Sequence, residues 1–290
     1  MTAVTTTSTI HHPNRAPRHT LKKIALITGL SIGAVFAAAP VLWMISTSLK
    51  PNGEVMQTPP QLISGNLNFD AYTTVLTDPG KLRFFVNSYV VALAVTALTL
   101  LVAILAAYAF SRYEFPGKRL VNMVIVSVQA VPPITLVIPY FADGVAGPLQ
   151  HLSRLIITHM VFTLPYAIIM MTAYFNTLPR ELDEAVKVDG ATGWTALWRV
   201  LVPISVPGMI AVGVYTFMIS WNEYLFALTL TRTDDMRTVP IGIQLLMGQH
   251  SYEWNEMMAM SILGSIPVLV LFLVFQRRFI GGLSAGAVKS

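Results

Sequence analysis

"PRELDEAVKVDGATGWTALWRVLVP", residues 179–203, interrupts a chain that is otherwise apolar enough to live in lipid. It carries Arg180, Glu181, Asp183, Glu184, Lys187, Asp189 and Arg199, and Gly190 stands in the middle of a helical pattern. Pro179 suits a first helical turn, and the acidic residues after it complement the positive end of a helix macrodipole. Leu182, Ala185 and Val186 share one helical face, while Glu181, Glu184 and Lys187 fall elsewhere. Beyond Asp189 and Gly190, the residues Trp194, Leu197, Trp198 and Leu201 again repeat at helical spacing. The pattern predicts two short amphipathic helices meeting at a corner where Gly190 adopts a left-handed or otherwise open conformation. Helices lying flat on lipid are typically rich in Lys and Arg. The first helix here is acidic, so a projecting knob that docks into another protein fits better.

The rest of the chain sets the context. Of its 290 residues, 54% are hydrophobic and only 11% charged, against about 25% charged in soluble domains. With a mean hydropathy of +0.62, this predicts an all-α, polytopic membrane protein. There are no cysteines, which excludes disulfides and thiolate metal sites. A crossing helix needs about 20 apolar residues. Six segments qualify: residues 24–46, 85–110, 121–141, 155–175, 204–230 and 257–275. The first imitates a cleaved signal peptide, with basic residues ahead of an apolar run and Ala37-Ala38-Ala39. Cleavage is not expected, because the run continues past the alanines through Val41–Ile45 and Pro40 would directly follow the cut.

Six spans put both termini on one side. With the N-terminus inside, 13 of the 19 Lys and Arg lie in the cytoplasm: Arg15, Arg18, Lys22, Lys23, Arg112, Lys118, Arg119, Arg180, Lys187, Arg199, Arg277, Arg278 and Lys289. This asymmetry obeys the positive-inside rule and places residues 179–203 in the cytoplasm, between spans four and five. The expected organisation is a disordered cytoplasmic tail (1–20), a first helix with an external loop (21–83), a transmembrane core (84–278) and a cytoplasmic C-terminal tail (279–290).

Enzyme signatures are missing. There is no His-Glu-x-x-His pair, no Gly-x-Ser-x-Gly elbow and no cysteine nucleophile. No catalytic or metal-binding residue and no cofactor are expected in this chain. "GGLSAGAVKS" lacks the contiguous Gly-Lys-Ser/Thr of a phosphate loop, so ATP binding by the chain alone is not expected. His159, isolated within span four, reads as a hydrogen-bonded packing residue. Glu223, in "SWNEYLFAL", reads as lying well inside span five, where an acidic group costs roughly 2.5–3.5 kcal/mol. Two readings stand for Asn222 and Glu223: a translocation path or gate, or a structural hydrogen bond between helices. Prolines in the later spans (Pro132, Pro133, Pro139, Pro165, Pro207, Pro267) point weakly the same way, to backbone breaks tolerated beside a wet cavity. The outer segment 231–256 is long and apolar, and Gln249 and Tyr252 are its expected contacts with an external protein.

"EAVKVDGA" (184–191) followed by "LWRVLVPISVPGM" resembles the Glu-Ala-Ala-x-x-x-Gly loop of permease subunits in binding-protein-dependent ABC importers. With "SLKPNGEV" (48–55), "AYAFSRYEFPGKR" (107–119), "SWNEYLFAL" (220–228) and "FQRRFIGGLSAGAVKS" (275–290), the chain is similar to the carbohydrate branch, especially the smaller permease of maltose-type transporters. It departs at Val186, where the motif has its second alanine, and at 141–159, which lacks the Gly-Leu-x-(Asn/Asp)-Thr run. The resemblance implies a type I importer fold with a second permease, two ATPase subunits that bind ATP and Mg, an extracytoplasmic solute-binding protein, a sugar substrate and membrane lipid as partners. No nucleic acid is expected. It implies that Glu184, Ala185, Asp189 and Gly190 couple to the ATPase. It also implies a prokaryotic cell membrane. The alternatives are an importer of glycerol-phosphate or another polar solute, an ion-coupled secondary transporter, or a membrane-embedded enzyme.

Overall fold

The computed structural model describes residues 16–62, 64–135, 152–231, 233–248 and 252–287. Every regular element among them is helical; one isolated antiparallel bridge joins Met247 to Tyr252. The helices are α1 (Ala16–Ser48), α2 (Asn52–Val55), α3 (Asp70–Thr77), α4 (Pro79–Arg112), α5 (Lys118–Ala130), α6 (Leu152–Asn176), α7 (Glu181–Val188), α8 (Gly193–Ala196), α9 (Val206–Trp221), α10 (Leu225–Leu230), α11 (Val239–Leu245) and α12 (Trp254–Ala287). Between α8 and α9 the chain winds on through a wider π-turn, Leu197–Leu201, and Val202–Ile204.

Four helices, α1, α4, α6 and α12, are long and apolar enough to cross a membrane. A bent pair, Gly193–Ile204 meeting α9 at 77°, is long and apolar enough only when taken together. The first, second, fourth and sixth predicted spans therefore fall on these long helices. The third is helical over α5, and its end, residues 136–141, lies outside the described residues. The fifth needs correction. Instead of one helix over 204–230, α9 stops at Trp221, and α10 begins afresh at Leu225. Helix α1 already starts at Ala16, and α12 runs to Ala287.

Local sequence explains the ends of α4. The Asp78 carboxylate accepts from Gly80 N at 2.7 Å, Pro79 opens the first turn, and Arg112 closes the last. These satisfy one orphan donor, lose none, and place a cation at the negative end of the dipole. The core forms where α4 meets α6 and α9. Ala103, Ala107 and Ala167 are fully buried, and such small residues let helix backbones approach without help from water. Ile104, Met171, Phe175, Leu197, Leu201 and Val212 fill the space around them. The Thr99 and Thr163 hydroxyls bond across the α4–α6 seam at 3.1 Å. The Trp221 indole N–H donates to the Gly264 carbonyl at 2.9 Å, tying α9 to α12. Helix α1 packs along α12 and leaves Ile27, Leu30, Val35 and Phe36 exposed, as suits side chains whose solvent is lipid.

The outer segment is fastened to the same frame. Asn87 donates to the carbonyls of Asp235 and Arg237 at 2.8 and 2.9 Å, and the Ser88 hydroxyl accepts from Val239 N at 2.9 Å. Val239 and Ile241 are buried. A Cβ on Gly242 would collide with the Phe84 ring and come within 2.7 Å of Met260 Cε. Gly242→Ala should therefore destabilise the chain by about 1–3 kcal/mol through overpacking, read as a lower melting temperature in detergent. Gly65→Ala, where the added carbon meets nothing within 4 Å, should leave it nearly unchanged.

Candidate functional site

The knob at 179–203 is the first candidate. Helix α7 ends in a left-handed turn: Gly190 has φ +74°, and Ala191 N donates back to the Val186 carbonyl at 3.1 Å. That six-to-one bond is the mark of a Schellman cap and accounts for the glycine. Glu184, Ala185, Asp189 and Gly190 are all exposed at this corner. Val188 and Trp194 are exposed too, at 86% and 62%, so the knob offers apolar as well as acidic surface. The buried face of α7 differs from the predicted one. It is rotated toward Asp183, which is only 7% exposed, while Ala185 faces outward. The second amphipathic helix keeps Leu197 and Leu201 buried as expected, but its later part is a π-turn and Trp194 is outside.

Arg112 explains the rotation. From the last turn of α4 its Nε lies 2.7 Å from Asp183 Oδ2, with both side chains at least nine-tenths buried. The approach is off the N–H axis, so this is a charge pair rather than a directed hydrogen bond. Neither Asp183 oxygen has a hydrogen-bond partner among the described residues; its charge depends on Arg112. The same guanidinium donates through Nη2 to the Leu178 carbonyl at 3.2 Å. One turn earlier, the Tyr108 hydroxyl donates to the Gly193 carbonyl at 3.0 Å. A single transmembrane helix thus holds both halves of the knob. The sequence pattern gave Asp183 no partner, Arg112 only a place among the cytoplasmic cations, and Tyr108 no role.

The second candidate lies just past the end of α9. Glu223 sits at the break between α9 and α10. Its Oε1 accepts from Phe226 N at 2.8 Å, and its Oε2 accepts from Ala227 N at 3.0 Å, capping α10. Oε2 is also 3.1 Å from His159 Nε2 on α6, and His159 Nδ1 is 2.8 Å from the Ser220 hydroxyl. A carboxylate only accepts, so the Nε2–H form of the ring fits, with Nδ1 accepting from Ser220. His159 is therefore the hydrogen-bonded packing residue expected, and it is also the partner of Glu223. Three bonds to a carboxylate, at roughly 1.5–3 kcal/mol each, offset the cost of burying it. Asn222 takes no part: its amide turns back to the Met218 carbonyl at 2.8 Å.

At the outer end, Tyr252 is half exposed and stacks on Trp254 with ring centres 5.3 Å apart. Asn52 pins this strip, donating to the Tyr252 carbonyl at 2.9 Å and accepting from Trp254 N at 3.0 Å. Gln249 lies outside the described residues. Much of the apolar content that pointed to an external partner packs inside the chain instead, through Val239 and Ile241. Leu245, Met247 and Tyr252 remain at the surface.

Residues 99–279 match the family of binding-protein-dependent transport system inner membrane components. This match contains both candidates and most of the helical core. The chain belongs to that family. It is a membrane-embedded transport subunit and not an enzyme. It is 35% identical over 260 residues to the sulfoquinovosyl glycerol transport system permease protein of Agrobacterium fabrum, covering 89% of this chain and 91% of that one. It is 35% identical over 268 residues to the trehalose transport system permease protein of Mycobacterium tuberculosis, covering 91% and 96%. A chain in the crystal structure of a bacterial ABC transporter that imports the acidic polysaccharide alginate superposes with a TM-score of 0.77 at 22% identity, covering 92% of this chain and 99% of that one. The fold is that of a type I importer permease.

A double-mutant cycle tests the inner site. Each of His159→Ala and Glu223→Ala should destabilise the protein by about 1–3 kcal/mol, and the pair should lose less than the sum by roughly 0.5–3 kcal/mol. Additive losses in thermal unfolding would mean that the two groups do not interact.

Proposed function

We propose that this chain is a permease subunit of an ATP-driven sugar importer, working with a second permease, two ATPase subunits and an extracytoplasmic binding protein. The observation that carries the reading is the exposed Glu184–Gly190 corner, fastened to a membrane-crossing helix by Arg112 and Tyr108. A loop that only linked two spans would need neither the apolar exposure nor the double attachment. Similarity to permeases of sulfoquinovosyl glycerol and trehalose transport supports a sugar or glycoside as the solute. The distribution of Lys and Arg supports a cytoplasmic knob and cytoplasmic termini.

Closure of the ATPases on ATP moves the docked corner. Arg112 and Tyr108 pass that movement to α4, and α4 carries α6 and α9 through their shared core. The two permeases then rock between inward- and outward-open states. ATP and a loaded binding protein favour the outward state only by binding it better, and hydrolysis removes that bias. Glu184 serves as an acidic contact for a basic ATPase residue. Gly190 gives the corner its direction. Glu223, held by His159, fixes the break between α9 and α10 along the path, and the exposed strip around Tyr252 meets the binding protein, with Gln249 as a further contact.

Uptake measured in vesicles carrying all the subunits and a panel of sugars tests the function. ATP-dependent accumulation that requires the binding protein is expected; accumulation driven by an ion gradient without ATP would overturn it. Loss of the Glu184 contact, at roughly 1.5–3 kcal/mol, should weaken ATPase association in Glu184→Ala about tenfold to a hundredfold. Gly190→Val forces a β-branched residue into the left-handed region and should reduce solute moved per ATP. Neither should change sugar affinity of the binding protein. Normal transport by the double variant with ATPases attached would contradict the coupling role.

A further inference from the structure

Two phenol rings stack halfway along the seam between α6 and α9. The Tyr166 and Tyr215 ring centres lie 3.9 Å apart, with the planes 28° from parallel. Tyr166 stands ten residues before the end of α6 at Asn176 and fourteen after its start at Leu152. At 1.5 Å per residue these are about 15 and 21 Å, near the middle of a hydrocarbon core about 30 Å thick. Tyrosines of the aromatic belts sit at headgroup level instead. Both residues are part-exposed, and neither hydroxyl has a hydrogen-bond partner among the described residues or is sealed off from the surface. A phenol offers both a donor and an acceptor, and leaving it unpartnered in hydrocarbon is costly.

The two open sides of α9 differ in character. Met209, Gly213 and Phe217 line an apolar groove against α4 and α12. At 3.6 residues per turn, Tyr215 points to the opposite side of α9, and Asn222, seven residues on, lies beside it. Asn222 is exposed; its Nδ2 donates to the Met218 carbonyl, and its Oδ1 has no partner among the described residues. Met218 and Ile219 flank this line and are exposed at 38% and 43%. Lipid would leave the two phenols unpartnered. A neighbouring helix would call for small residues that let backbones approach, and two bulky rings stand there instead. Aromatic and apolar surface carrying a few free hydroxyl and amide groups suits a sugar, whose C–H faces pack on rings while its hydroxyls bond to the polar tips. We propose, resting on the sugar-importer reading, that Tyr166, Tyr215 and Asn222 form this chain's half of a sugar contact in the path. Sugar hydroxyls bond to the two phenols, and Asn222 is a further contact two turns along α9.

Transport by vesicles carrying all the subunits, with a panel of sugars that includes trehalose, tests this. Tyr166→Phe/Tyr215→Phe keeps both rings and removes only the hydroxyls. Sugar moved per ATP hydrolysed should fall about tenfold, while hydrolysis stimulated by the loaded binding protein stays within about twofold. An unchanged ratio would overturn the proposal. Hydrolysis lost together with uptake would overturn it as well, by assigning the rings to the contact between the two permeases. The chain has no cysteine, so Tyr215→Cys gives it a single thiol. A water-soluble methanethiosulfonate should label that thiol in the assembled transporter, and the transported sugar should slow the labelling. Met218→Cys, on the same side of α9, reports water access if Tyr215→Cys does not assemble. Val35→Cys, exposed on α1 where the solvent is lipid, should stay unlabelled. Absence of labelling at both α9 thiols would overturn the proposal in favour of lipid or a partner helix. If wild type accumulates no sugar of the panel, the importer reading itself fails and this contact falls with it.

Discussion

A buried carboxylate and a buried guanidinium, Asp183 and Arg112, stand 2.7 Å apart where the knob meets the helical core. Nearly everything about the knob's placement depends on them. Helix α7 is only eight residues long, too short to be stable by itself. Its orientation comes from its attachments. The Schellman turn at Gly190 sets the angle to the following helix, the Tyr108 hydroxyl holds that helix at Gly193, and Arg112 holds both α7 and the chain leading into it. A buried ion pair contributes little net stability when compared with apolar side chains of the same size. Its value here lies in position. Breaking it leaves Asp183 buried and uncompensated, so the knob cannot turn away from α4 without a cost of several kcal/mol.

The Glu223–His159 pair obeys the same physics. The chain breaks at Asn222–Tyr224 between α9 and α10, and the N–H groups freed by the break need partners. Glu223 answers two needs at once. It caps two free N–H groups of α10, and it accepts from the Nε2–H of the His159 ring. His159 in turn reaches Ser220 on the preceding helix. The break is thereby a fixed element of the fold rather than a loose joint.

How much of this was legible in the sequence differs by element. The charged loop, its two amphipathic halves and the left-handed glycine followed from local spacing, because helix periodicity and the Schellman turn are local properties. The membrane class followed from composition. The partners of Asp183 and Glu223 did not. Arg112 and His159 lie on other helices, and which side chains meet is decided by helix rotation about its axis, which periodicity fixes only to within a side chain or so. Asp183 lies next to Val186 on the helix wheel, about 60° from it, so a modest rotation brings it onto the buried side. The break after Trp221 was hidden for another reason: "SWNEYLFAL" is apolar enough to pass for continuous helix, and the capping role of Glu223 depends on the histidine that stabilises it. The outer segment misled because its apolar residues serve the chain's own core at Val239 and Ile241.

The claim that α4 carries the movement of the knob is open to one direct measurement: solute transported per ATP hydrolysed in reconstituted vesicles, compared for wild type, Arg112→Met and the exchanged pair Arg112→Asp/Asp183→Arg. With the ATPases still bound, Arg112→Met should keep hydrolysing ATP while the ratio falls roughly tenfold or more, since the carboxylate left behind costs about 3–5 kcal/mol where it is buried and the knob detaches. The exchanged pair should recover most of the ratio. A wild-type ratio in Arg112→Met would contradict the account.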